Sequence, residues 1–144
     1  MTDLPKVIDT TESLGRGIFD SKKARQAQSG KVPPRVFRER TGVRELSMDR
    51  VSFGHLGEIA EAHDAERTTQ QFHGWAELSA RDATKHGRTV IAKPVLPTNP
   101  YHAEIVLPDV AVAEAGEEQD QHALSLAMAS RWLPRPAKTS QTGT

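Results

Sequence analysis

Residues 72–109 read FHGWAELSARDATKHGRTVIAKPVLPTNPYHAEIVLPD. The opening residues alternate with a period of two, which predicts a strand over 72–78. That period puts Phe72, Gly74, Ala76 and Leu78 on one face and His73, Trp75 and Glu77 on the other. Ser79 then begins Ser-Ala-Arg-Asp, a hydroxyl cap followed by an acid at the third helical position. Gly87 is a left-handed stop, with His86 in the last turn, so a short helix is expected over 79–86. A strand centred on Val90 and Ile91 follows, and Pro94, Pro97 and Pro100 end it in a rigid loop. The next strand, 101–107, carries Tyr101, Ala103, Ile105 and Leu107 on one face and His102, Glu104 and Val106 on the other. The loop between these two strands is too short for a parallel crossover, so they should be antiparallel, which favours an α+β fold.

Outward from this stretch the signals weaken. Residues 54–71 place Leu56, Ile59, Ala60 and His63 on one helical stripe, which predicts a flanking helix over about 55–69. A second flanking helix is expected over 117–132, with acids at its start, Arg131 at its end, and Ala123, Leu124, Ala127 and Met128 facing the core. Asp20 or Ser21 can cap a polar helix over 22–28 that Gly30 ends. Arg35–Arg38 alternates loosely and should pair, as a hairpin of 35–39 with 44–48, through a turn at Thr41-Gly42. Gly15 and Gly17 interrupt a short apolar patch near the N-terminus. The expected organisation is a flexible lead over 1–13, one α+β domain over 14–133 with an antiparallel sheet of four to five strands, and a disordered tail over 134–144.

Composition narrows the classes. The chain of 144 residues has no cysteine, which removes disulfides, thiolate metal sites and a cysteine nucleophile. Its start, MTDLPKVIDTTESLG, lacks the apolar core of a secretory signal, and no apolar run approaches a membrane span. A soluble cytoplasmic protein with no membrane partner is the expectation. The formal net charge is zero, with 19 basic and 19 acidic residues, but the basic ones cluster. Between residues 22 and 44 stand Lys22, Lys23, Arg25, Lys31, Arg35, Arg38, Arg40 and Arg44 against one acid, Glu39. Such a segment can hold an anion or an acidic partner, or be spread over solvated faces.

No complete catalytic or phosphate-binding motif is present, and no cofactor or metal is expected; His63, Asp64 and His73 are the nearest metal-like set, and nothing in their spacing makes them converge. His102 and Glu104, two apart on one strand, with His73 on another, are the candidate acid–base groups. Trp75 and Tyr101 could stack a planar ligand, with Asn99 and Arg38 as polar contacts. The solvent face of an antiparallel sheet would show the same alternation. Three functions follow. The foremost is a small accessory protein that docks on a protein partner. The second is nucleic-acid binding, or a metal-independent nuclease, through Lys22, Lys23, Arg25, Arg35, Arg40 and Arg44. The third is a small transferase using NAD or another nucleotide, with Arg38 and Ser47 as anion contacts and Glu104 as the catalytic group.

Overall fold

A computed structural model of the chain describes residues 4–137. It is a single α+β domain built on a six-stranded, wholly antiparallel sheet. The strands are β1 (Ser13–Ile18), β2 (Glu45–Arg50), β3 (Gly74–Ser79), β4 (Thr89–Ala92), β5 (His102–Val106) and β6 (Arg131–Pro134). Their order across the sheet is β4-β5-β2-β1-β3-β6. The helices are α1 (Ser21–Gln28), α2 (Leu56–Glu66), α3 (Ala80–Ala83) and α4 (Ala115–Ala129).

The end signals around α1 and α3 act as expected. Asp20 Oδ1 accepts from the Lys22 and Lys23 amides, and Ser79 Oγ accepts from the Asp82 amide at 3.1 Å. The short helix is briefer than 79–86: after α3 a 3₁₀ turn spans Lys85–Gly87, where His86 already holds φ +60° before Gly87 at +79°. Helices α2 and α4 occupy the expected regions, within the ends proposed for 55–69 and 117–132 at their C-termini.

Three expectations are corrected. Residues 35–39 form no strand. Pro34–Phe37 is a 3₁₀ turn, because two prolines start it without free amides, and β2 pairs instead with β1 and β5. The glycine-broken patch is itself an inner strand, β1, between β2 and β3. The last helix stops at Ala129, and 131–134 cross back as the edge strand β6 beside β3. Of the expected lead 1–13, residues 1–3 lie outside the described residues. Leu4 and Ile8 pack on the core, Glu12 is buried against Arg50, and Ser13 begins β1. Of the expected tail 134–144, residues 138–144 lie outside the described residues, while Pro134 completes β6.

Each sheet face has its own core. Leu14, Ile18, Leu46, Met48, Ala76, Leu78, Ala103 and Ile105 share one face and meet Ala24 and Ala27 of α1, Ala80 and Ala83 of α3, and Ala123, Leu126 and Ala127 of α4. On the other, Trp75, Phe72, Tyr101 and Val51 meet Ile59 and Ala60 of α2. Phe72 and Tyr101 therefore do not belong to the face on which alternation placed them. They precede the first paired residues, Gly74 and His102, and the period of two holds only within a paired strand. Gly74 makes the break: its φ is +153°, and a Cβ there would meet the Leu133 carbonyl oxygen at 2.6 Å.

Candidate functional site

The face that α2 covers brings several of the proposed residues together around one carboxylate. Asp49, 2 % exposed on β2, accepts from Trp75 Nε1 at 2.9 Å and from Asn99 Nδ2 at 3.1 Å. His63 Nε2 lies 2.6 Å from the same carboxylate. A carboxylate only accepts, so Nε2 carries the proton on this side of the ring. The ring packs between Phe19 and Phe72, at centroid distances of 5.3 and 4.7 Å.

Two glycines make this possible. Trp75 must cross β1 to reach Asp49 on β2, and it does so over Gly15. A Cβ at Gly15 would sit 2.8 Å from Trp75 Cγ and Cδ1, and one at Gly17 would sit 3.0 Å from the Phe19 ring. Gly15 and Gly17 are thus the floor of an aromatic cluster.

Tyr101 joins from the side. Its hydroxyl is 3.0 Å from Glu58 Oε2 on α2, and its ring stacks on His55 at 5.0 Å. His102 lies opposite Asp49 and Glu104 opposite Ser47 across β5 and β2. Neither is among the groups bonded to Asp49: His102 Nδ1 is 2.9 Å from the Lys93 carbonyl, and Glu104 pairs with Lys93 Nζ at 3.4 Å. The His73 amide donates to the Ile18 carbonyl, and its ring is not among the groups on Asp49.

Arg38 is on the opposite side of the sheet. It pairs with Asp120 of α4 at 2.7 Å and donates to Thr41 Oγ1, the Gly116 carbonyl and the Glu39 carbonyl. Arg44 is also tied to α4, 2.8 Å from Glu118, and donates to the Pro108 carbonyl. The basic segment is thereby divided: Lys22 and Arg25 on α1, Arg35 and Arg40 stay exposed, Lys23 is half-buried, and Arg38 and Arg44 fasten a helix.

The helical side holds what the sequence reading missed. Arg88, 3 % exposed, donates to the carbonyls of Ala83 and Asp82 at 2.9 and 3.0 Å, to Ser125 Oγ at 3.3 Å and to His122 Nδ1 at 2.9 Å. His122 Nε2 faces Glu118 at 2.6 Å, and Glu118 faces Arg44. Because Arg88 can only donate, His122 Nδ1 is the acceptor and Nε2 holds the proton, so the ring is neutral. Burial is the largest influence on His122 and pushes its pKa down; the Glu118 charge opposes this. Burial works to raise the Glu118 carboxyl, but Arg44 and His122 outweigh it and hold its pKa below the usual range.

Over this network runs a groove of about 490 Å³ between α4 and the α3 turn, lined by Asp82, Lys85, His86, Leu124, Ser125 and Met128. Leu124 is 51 % exposed and Met128 78 %. Both were expected in the core. The buried stripe of α4 is Ala115, Gln119, His122, Ala123, Leu126 and Ala127, so the helix is turned to bury polar Gln119 and His122 and leave two large apolar residues outside. Gln119 accepts from the Gly42 amide and donates to the Arg40 and Val43 carbonyls, which satisfies it there.

No family model, curated protein or solved structure matches this chain. Among the described residues no group of three or more His, Asp or Glu is placed to hold a metal ion, and no helix is long and apolar enough to cross a membrane. The two places where side chains converge are therefore judged on chemistry alone. The Asp49 cluster is buried and its hydrogen bonds run between protein groups, so it acts as a latch for α2. The α4 groove is open, and two of its lining residues, Asp82 and Ser125, are held from below by Arg88.

Proposed function

We propose that this protein is an interaction module that docks on a protein partner by taking an apolar side chain of an amphipathic segment into the α4 groove. The supporting observation is the exposure of Leu124 and Met128, one helical turn apart along the groove, while smaller and more polar side chains of the same helix are buried. An unbranched thioether adapts to a partner's shape, and a cleft of this volume suits a few side chains. Asp82, paired with Lys85 at 2.8 Å, and His86 give the groove a polar rim beside its apolar residues. The test is capture from the source cells with the wild-type chain and with Leu124→Ser/Met128→Ser. Both sites are exposed, so melting should change little. A partner held in fixed ratio by the wild type should bind at least ten-fold more weakly to the variant, about 1.4 kcal/mol. Equal retention of that partner by both chains sinks the reading.

A second reading, nucleic-acid binding, rests on the exposure of Lys22, Arg25, Arg35 and Arg40. It requires an affinity that falls steeply with salt. The nucleotide-transferase reading has less support, since Ser47 and Glu104 are cross-strand neighbours while Arg38 lies across the sheet, bonded to Asp120. Unchanged turnover in Glu104→Gln would remove it.

A further inference from the structure

The two edges of the sheet are built differently. Edge strand β6 contains Arg131 and ends on Pro134, and Arg135 and Pro136 follow. Charge and proline at an edge keep other strands away. Edge strand β4 reads Thr89-Val90-Ile91-Ala92, with no charge and no proline inside its four residues, although Arg88 precedes it and Lys93 and Pro94 follow; Ile91 is 44 % exposed. The Lys93 amide donates to the His102 carbonyl at 2.9 Å, so Lys93 faces β5. By the period of two, Ile91 and Thr89 face β5 as well, and the N–H and C=O groups of Val90 and Ala92 point out of the sheet. They have no hydrogen-bond partner among the described residues.

We propose that β4 pairs antiparallel with β4 of a second copy of this chain, about a two-fold axis at Ile91, giving one sheet continuous through both molecules. The register follows from the pattern above. With Ile91 opposite the partner's Ile91 as a non-hydrogen-bonded pair, Val90 falls opposite the partner's Ala92, and every outward N–H and C=O of those residues is met. The charges also fit. Lys93 falls opposite the partner's Thr89, so no like charges face each other. The central pair is apolar, and Val90 and Ala92 extend the face that already packs on the main core. Val95 and Leu96, 46 % and 73 % exposed, continue the apolar edge past Lys93. This proposal is independent of the α4 groove, which lies between α3 and α4.

Sedimentation of the full chain over a range of concentrations tests it. The expected result is a monomer–dimer equilibrium, with slowed hydrogen exchange at the Val90 and Ala92 amides as dimer forms. Ile91→Lys puts two ammonium groups at the axis and should leave a monomer. Thr89 is exposed, so its variants fold, and they read the register. Thr89→Glu, opposite the partner's Lys93 at both ends, should tighten the dimer roughly two- to thirty-fold at low salt, and Thr89→Lys should loosen it. A monomer up to about 1 mM, corresponding to roughly 4 kcal/mol of association, overturns the proposal. So does a dimer unmoved by the Thr89 pair, or one lost in Leu124→Ser/Met128→Ser instead.

Discussion

Two carboxylate–histidine pairs, Asp49–His63 and Glu118–His122, have the same 2.6 Å separation on opposite sides of one sheet, yet they are built for different work. Glu118 and His122 are one turn apart on a single helix, and the pair is completed by Arg44 and Arg88. Asp49 and His63 belong to β2 and α2, and the same carboxylate also holds Trp75 from β3 and Asn99 from the loop before β5. One pair sets the protonation of a histidine inside a network of charges. The other ties four segments at one point. Equal distance therefore says little; the number of separate segments a group joins, and the charges around it, decide what its loss costs.

The largest effect is expected at Asp49. Asp49→Ala leaves Trp75 Nε1, His63 Nε2 and Asn99 Nδ2 facing a void, and an unmet buried donor costs about 1–3 kcal/mol. A loss of about 4 kcal/mol is expected in denaturant titration, with a red-shifted Trp75 emission. Arg88→Met should cost less, about 2–3 kcal/mol, because two of the acceptors it abandons are carbonyls on the short α3 segment, which can turn to water. A larger loss at Arg88 than at Asp49 would invert the comparison.

Next in size are two glycines on the Asp49 side. Gly15→Ala pushes a methyl carbon into Trp75 and should destabilise by about 1–3 kcal/mol. Gly57, in the first turn of α2, has nothing within 4 Å of where its Cβ would be, so Gly57→Ala should stabilise by about 0.5 kcal/mol. The same substitution thus has opposite signs above and below one cluster. Equal thermal shifts would mean that Trp75 slides aside at little cost and that the latch is looser than its distances imply.

These sites explain what could be read from the chain and what could not. Caps and stops were legible because they are local: Asp20 and Ser79 bond backbone groups two or three residues away. The strands of 72–109 were legible because alternation is local too, and it failed only at Phe72 and Tyr101, beyond the ends of pairing. Strand β1 was hidden because glycines are poor strand formers, and Gly15 serves the ring of Trp75, dozens of positions away. In the candidate site, Trp75 and Asn99 could be singled out as chemical types, but their common acceptor, Asp49, is one acid among many in sequence. Helix α4 misled because apolar Leu124 and Met128 suit a core stripe better than Gln119 and His122. Only distant partners, the Arg40 and Val43 carbonyls for Gln119 and Arg88 for His122, turn the polar side inward.

The smallest expected effect is the pH dependence of the Glu118–His122 pair. His122 faces Glu118 on its own helix, Arg88 at the start of β4 and Arg44 before β2, and burial and the two arginines together lower its pKa. An unfolded histidine titrates near about pH 6.5, so in the range just below this the unfolded chain binds a proton that the folded chain refuses. Stability from His122 is therefore complete above this range and declines as the pH falls through it. Glu118, whose pKa is also lowered, adds a loss of the same sign in the carboxylate range. His122→Gln keeps a neutral group with an acceptor and a donor but cannot titrate. Its melting temperature should start somewhat below that of the wild type at pH 7.5 and fall less steeply toward pH 5.5. His63→Gln, on the other pair, removes the ring that ties α2 to Asp49 of β2 and should lower the melting temperature at both values. Parallel slopes for the wild type and His122→Gln would mean that the ring accepts a proton between Glu118 and Arg88, and the distinction between the two pairs would lose its electrostatic half.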